Sequence, residues 1–198
     1  MSAPENAAVI AAASTGIVCA SLPLDVIELA ALRERTQVLK ALAARRGLAF
    51  PAMGWAAAAR GTVVLCVRPE RWLLLTAPAL PGAALGSWRD ACEGCAAAIE
   101  LSSAWTALHL SGPAVPEVLA RGCRLDLHPA AFVPGTAAAT SMAQVSVVLA
   151  ALATGWLLLT PASTARHLRE WLAAAAAPFG FEPRAGVTVA SLTGEKGP

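Results

Sequence analysis

From Leu24 onward the apolar positions recur with two periods, and the switches between them lay out the elements. Alternation from Leu24 to Leu29 predicts a strand. Val38, Leu39, Leu42 and Ala43 form one face of a helix over Arg33 to Arg46, ended by Gly47. Phe50-Pro51 to Arg60-Gly61 reads as a loop carrying Trp55. Thr62 to Val67 and Trp72 to Thr76 are β-rich runs split by Arg68-Pro69-Glu70-Arg71, a hairpin loop. A second helix is predicted over Ala83 to Cys92, then strands over Ala97 to Leu101 and Thr106 to Leu110.

Gly112-Pro113 breaks that last strand and starts a helix, because proline in a first turn gives up only an N–H without a helical partner. Val115, Val118 and Leu119 fall at helical spacing, and Gly122 stands where a left-handed C-terminal cap is expected. Asp126-Leu127-His128-Pro129 forces an extended residue ahead of the proline, and Pro134-Gly135 is a further turn. Strands follow near Ala143 to Leu149 and Trp156 to Leu159, with Thr154-Gly155 as the turn between them. A helix from Ser163 to Ala177 has Pro161 before it, Ser163 as N-cap, and Leu168, Trp171 and Leu172 on its apolar face.

Each half therefore reads strand, helix, strand, strand, helix. The fold class expected is α+β, with helices packed on antiparallel sheet. The expected layout is an Ala/Ser-rich, partly disordered leader over 1–21, one domain over 22–180 with halves 22–96 and 97–180, and a tail over 181–198.

Only 14% of the 198 residues are charged and 57% are hydrophobic, so a domain of this size exposes apolar surface that a partner chain would cover. The net charge of +2 and the scatter of Lys and Arg argue against nucleic acid. No charge occurs between Pro129 and Ala165, but the apolar core of that run is short for a membrane span and holds Thr154-Gly155. A buried β-hairpin is the reading. The run from Ala7 to Leu24 lacks the basic start of a secretory signal, and five cysteines in no regular framework suit reduced thiols, so the cytoplasm is expected. Cys92-Glu93-Gly94-Cys95 lacks a second pair at zinc spacing and reads as two small residues near a helix end.

Candidate chemistry is sparse. His109 sits inside a strand and His167 on an exposed helix face, which leaves His128, two residues after Asp126. The pair could tune a base or cap a buried turn through backbone hydrogen bonds. Without a nucleophile or metal partner at recognisable spacing, the turn role is preferred. No GxGxxG follows a strand and no phosphate loop is present. Trp72 and Trp105 are expected in the core, with the Arg68 to Arg71 turn at the rim of a partner contact.

Several segments together resemble the gamma subunit family of heterotetrameric sarcosine oxidase. They are Arg68-Pro69-Glu70-Arg71-Trp72-Leu73-Leu74, Glu100-Leu101-Ser102 and Leu110-Ser111-Gly112-Pro113. Most specific is Leu119 to Pro129 (LARGCRLDLHP), followed by Phe132, Pro134-Gly135 and Thr140. The likeness runs from about Asp25 to Ala175. It implies a fold akin to the folate-binding aminomethyltransferase domain, and a subunit without catalytic residues of its own. It also implies alpha, beta and delta partner subunits carrying the cofactors: flavins (FAD and FMN) on beta and at its junction with alpha, NAD on alpha, zinc on delta, and tetrahydrofolate as the one-carbon acceptor. Arg68, Arg71, Trp72, Gly122, Asp126, His128, Gly135 and Thr140 are the signature or interface positions so marked.

An independent folate-dependent aminomethyltransferase is the alternative, and the residues argue against it. Those enzymes continue the strand entry with a histidine where this chain has Ser103. Their paired aspartates fall where this chain has Ala143-Gln144-Val145-Ser146-Val147. Arg68-Pro69-Glu70 and Glu100 also depart from the usual gamma-subunit residues. They leave open whether the parent oxidase acts on sarcosine, another N-methyl amino acid or a betaine-derived amine.

Overall fold

A computed structural model describes residues 16–193. Strands β1 (Ile17–Leu22) and β2 (Asp25–Ala31) precede helix α1 (Thr36–Arg45), and β3 (Trp55–Ala59), β4 (Thr62–Arg68) and β5 (Arg71–Thr76) lead to α2 (Ala83–Ala91). Next come β6 (Ala96–Glu100), β7 (Trp105–Ser111) and α3 (Val115–Ala120). Then β8 (Ala137–Met142), β9 (Val145–Leu152) and β10 (Gly155–Pro161) run into α4 (Ala165–Ala176), and β11 (Phe181–Arg184) and α5 (Val189–Leu192) follow.

The strands form two sheets, in the orders β11-β1-β7-β10-β9-β8 and β3-β4-β5-β2-β6. Pairing is antiparallel throughout except between β1 and β11. The sheets stack face to face. Val63, Leu65, Leu73 and Leu75 of the smaller sheet meet Ala107, Val148, Ala150 and Leu157 of the larger one. Helices α3 and α4 cover the outer face of the larger sheet through Val118, Leu119, Leu168 and Leu172. Helices α1 and α2 cover the smaller through Leu39, Ala43 and Trp88. The α+β class holds as a four-layer arrangement, helix, sheet, sheet, helix.

That layering explains the uncharged run. Along β9, Val147, Leu149 and Ala151 face the helices while Val148, Ala150 and Leu152 face the other sheet. A strand buried on both faces is apolar at every position and loses the usual alternation. Among the described residues no helix is long and apolar enough to cross a membrane.

Several boundaries differ from the sequence reading. The leader does not extend to residue 21, because Ile17 and Cys19 pack against the helices as part of β1, which is paired on both sides. Residues 1–15, which hold the first half of the run weighed as a signal peptide, and 194–198 lie outside the described residues. The tail is not separate either. β11 extends the larger sheet, and α5 carries a Thr188–Ser191 capping box with Val189 and Leu192 buried. The two sheets do not divide at residues 96 and 97: β6 (Ala96–Glu100) lies in the sheet of the first half, and β1, which precedes both halves, lies in that of the second.

The loop over 50–61 contains strand β3, and β8 precedes the expected strand at Ala143. Ala143 and Gln144 are instead a hairpin turn with φ of 50° and 67°. Ser163 does not cap α4; a turn of 3-10 helix over Ala162–Thr164 starts it, where Thr164 Oγ1 donates to Pro161 O. Gly122 is not a left-handed cap. A Cβ there would lie 2.4 Å from the Trp171 ring, so this glycine is the space that lets α4 close on α3.

Candidate functional site

The charged centre of the molecule is a carboxylate the sequence reading passed over. Glu28 lies in mid-β2, between Ile27 and Leu29, and is only 4% exposed. Alternation turns it to the side of Val26, toward the space between the sheets. Arg71 Nη1 donates to Glu28 Oε1 at 2.8 Å and Arg68 Nη2 donates to Glu28 Oε2. Arg68 and Arg71 are cross-strand partners at the end of the β4–β5 hairpin. Two guanidinium groups directly opposite repel, and the carboxylate between them removes that cost. The turn itself is held by Glu70 in the left-handed region at φ 56°, whose Oε1 accepts from Thr36 Oγ1 at 2.5 Å. An acid in the middle of an apolar strand is the signal that could have found this triad, because a buried carboxylate requires cations.

Beside the triad, at one end of the space between the sheets, opens a cleft of about 620 Å³. Arg68, Trp105, Thr140, Ser141, Ser146 and Val147 line it. Two marked residues, Arg68 and Thr140, therefore meet in one place. Trp105 is half-buried: it packs against the core between the sheets, as expected, and also forms part of the cleft wall. Trp72 is buried: its ring stacks on Phe50 at 5.1 Å between centroids and its Nε1 donates to Pro51 O at 2.9 Å.

The other marked residues lie elsewhere. Gly135 joins the two sheets, donating its N–H to Ala151 O at 2.8 Å while its carbonyl accepts from Ala56 N at 2.6 Å. Asp126 and His128 form an exposed turn. Asp126 Oδ1 accepts from His128 N at 2.9 Å and His128 Nδ1 accepts from Ala130 N at 3.2 Å. The carboxylate is bonded to the backbone, in a turn that is not buried.

The remaining chemical groups do not converge on the cleft. His109 is buried at the opposite end of β7 with Nε2 3.2 Å from Thr154 O, and burial lowers its pKa, a shift that hydrogen bond partly opposes. His167 lies on the surface with Nε2 3.0 Å from Ala143 O. All five cysteines are buried and unpaired, and burial pushes the Cys19 thiol up to about 11, with Arg169 opposing. Such a thiol is inert as a nucleophile near neutral pH. Among the described residues no group of three metal-ligating side chains comes together. The cleft offers hydroxyls, an indole and one guanidinium, and the nearby Glu28 is occupied by two arginines. Most of the lining is apolar, with Val67, Leu73 and Val148 beside those groups, and it holds no nucleophile–base–orienter set.

The model of the family described as sarcosine oxidase, gamma subunit matches residues 35–178. The chain belongs to this family. A sarcosine oxidase subunit gamma from Corynebacterium sp. (strain P-1) is 37% identical over 133 residues, 65% of this chain and 63% of that protein. One from Arthrobacter sp. is 38% identical over 146 residues, 70% of each. The chain thus spans a little under two thirds of the first relative's length. A chain of the heterotetrameric sarcosine oxidase from Corynebacterium sp. U-96, solved with pyrrole 2-carboxylate, superposes with a TM-score of 0.74. It is 30% identical, and the match covers 84% of this chain and 86% of that one. The glycine cleavage system aminomethyltransferase T from Bartonella henselae shares the fold, with a TM-score of 0.64, 13% identity, and coverage of 86% of this chain and 48% of that one. The sarcosine oxidase gamma subunit family thus carries an aminomethyltransferase-like fold.

Proposed function

We propose that this chain is the gamma subunit of a heterotetrameric, sarcosine oxidase-like complex and performs no chemistry of its own. The observation that carries the reading is its match, over most of both chains, to a chain of the Corynebacterium sp. U-96 enzyme. The cleft adds support, because the groups that line it do not form a catalytic set. In this role the chain covers and rigidifies alpha, beta and delta subunits that carry FAD, FMN, NAD and zinc. The complex demethylates sarcosine or a related N-methyl amine oxidatively and passes the one-carbon unit to tetrahydrofolate on a partner subunit. The cytoplasm is its compartment, in keeping with five buried, unpaired thiols.

Affinity purification from the native host through a tag on this chain tests the proposal. Three larger or accessory chains, with a visible flavin spectrum and sarcosine-dependent peroxide formation, are the expected result. The purified chain alone is expected to be colourless and inactive on sarcosine. Tetrahydrofolate binding by the isolated chain would instead support an independent aminomethyltransferase-like protein, to which the fold likeness alone points.

A further inference from the structure

Sheet edges expose unpaired N–H and C=O groups and are normally blocked. Among the described residues, three of the four edges are blocked. On β3, Ala56 N donates to Gly135 O, and on β8, Ala137 N donates to Gly54 O while Met142 bridges Cys123. β11 is four residues long, contains Pro183 and pairs Arg184 with Glu182 at 2.8 Å. β6 differs. Its sequence, Ala96-Ala97-Ala98-Ile99-Glu100, has neither proline nor a basic residue.

Its outward groups follow from the register. Leu101 N donates to Val26 O and Leu32 N donates to Cys95 O, so the odd-numbered residues of β6 face β2. Ala96 is oriented outward, but its N–H is taken by Cys92 O. The N–H and C=O of Ala98 and Glu100 point away from the sheet, and no described residue is paired with that edge.

Apolar side chains gather around the same edge. Ile99 is 46% exposed on it, and Leu32, 45% exposed, is hydrogen-bonded at its start. A groove of about 510 Å³ at Cys95 is lined by Val38, Ala41, Leu42 and Ala91, together with the charged Arg45 and Glu93. Ala79 N donates to Asp25 Oδ2, which holds the loop bearing the exposed Leu80 at the Glu100 end of the sheet.

We propose that β6 is a docking edge for an extended segment of another subunit, which pairs with Ala98 and Glu100 as a sixth strand of the smaller sheet. Directional backbone donors and acceptors along a straight edge fit a strand and not a helix face. The small side chains of Ala96 and Ala98 let apolar side chains of that segment lie over the groove, and a basic residue suits the position facing Glu100. The inference rests on the subunit assignment and deepens it by naming the surface.

Amide hydrogen exchange on the native complex and on the isolated chain is the test. The Ala98 and Glu100 amides are expected to exchange quickly in the isolated chain and to be protected in the complex. Ala98→Pro removes an outward N–H and no donor of the pairing with β2, and a thermal melt checks that the ring is accommodated where Ala98 packs on the core. The variant is expected to weaken capture of the other subunits about tenfold or more, as forfeited backbone hydrogen bonds and a strand-blocking ring require. If a complex forms but both amides stay unprotected, or Ala98→Pro binds as wild type with its fold intact, the edge is not the docking site and the subunit assignment survives. If the tagged chain captures no other subunit, both fall. Protection that appears in the isolated chain with rising concentration and a dimeric mass would assign the edge to a second copy and overturn the proposal.

Discussion

Glu28 Oε1 lies 2.8 Å from Arg71 Nη1, and this contact makes the Arg68–Arg71 turn the support of a buried acid. The guanidinium side chains are about half exposed and the carboxylate is 5% exposed, so the cost of losing the pair falls on Glu28.

Replacing both arginines with alanine is therefore expected to lower the thermal midpoint of the isolated chain, by the equivalent of about 1–3 kcal/mol. Adding Glu28→Gln should recover part of that loss, because the orphaned charge is gone. Thermal melts of the double and triple variants decide it, and an unchanged midpoint in the double variant would show that the carboxylate has other support.

Gly122→Ala should cost about 1–3 kcal/mol, since a Cβ placed 2.4 Å from the Trp171 ring forces α4 away from α3. Adding Trp171→Leu should return most of it. A denaturation series over the two single variants and the double one measures the coupling; additive effects would remove the steric account.

Asp126→Ala should be mild. The accepting carboxylate is exposed, so water replaces it at the His128 amide and the loss is about 0.5–1 kcal/mol. Asp126→Asn, which keeps an acceptor oxygen, should behave as wild type in the same urea titration. A loss several times larger would mean the turn is covered in the folded chain.

His109 should make stability fall on the acid side. Burial holds its folded pKa below the ordinary 6.5, so as pH drops through 6.5 the unfolded chain takes up a proton that the folded chain resists. The stabilisation is present above about 6.5 and is lost as pH falls through the folded value. Urea midpoints from pH 7.5 to 5 for wild type and His109→Gln check this, and the variant should show a shallower decline.

The local order of this chain was legible because hairpins and helices depend on neighbours in sequence. Arg68 to Arg71 reads as a turn between two β-rich runs, Thr154-Gly155 splits the uncharged run, and Leu168 and Leu172 mark one face of α4. The segment Leu119 to Pro129 carried the family likeness. Strand β1 was missed because its short β signal, Ile17-Val18, follows directly on an Ala/Ser-rich stretch, and β7 and β11 supply its order. Helix C-termini favour glycine, so Gly122 read as a cap until Trp171, nearly fifty residues later, arrived above it. The same holds for the cleft, where Arg68 meets Thr140, and for Glu28, whose cations come from a hairpin about forty residues away. Sequence alone determined the local elements and the family; which strands share a sheet, which edge stays open and which charge is buried were decided by long-range packing, because those free energies arise only once distant segments exclude water from one another.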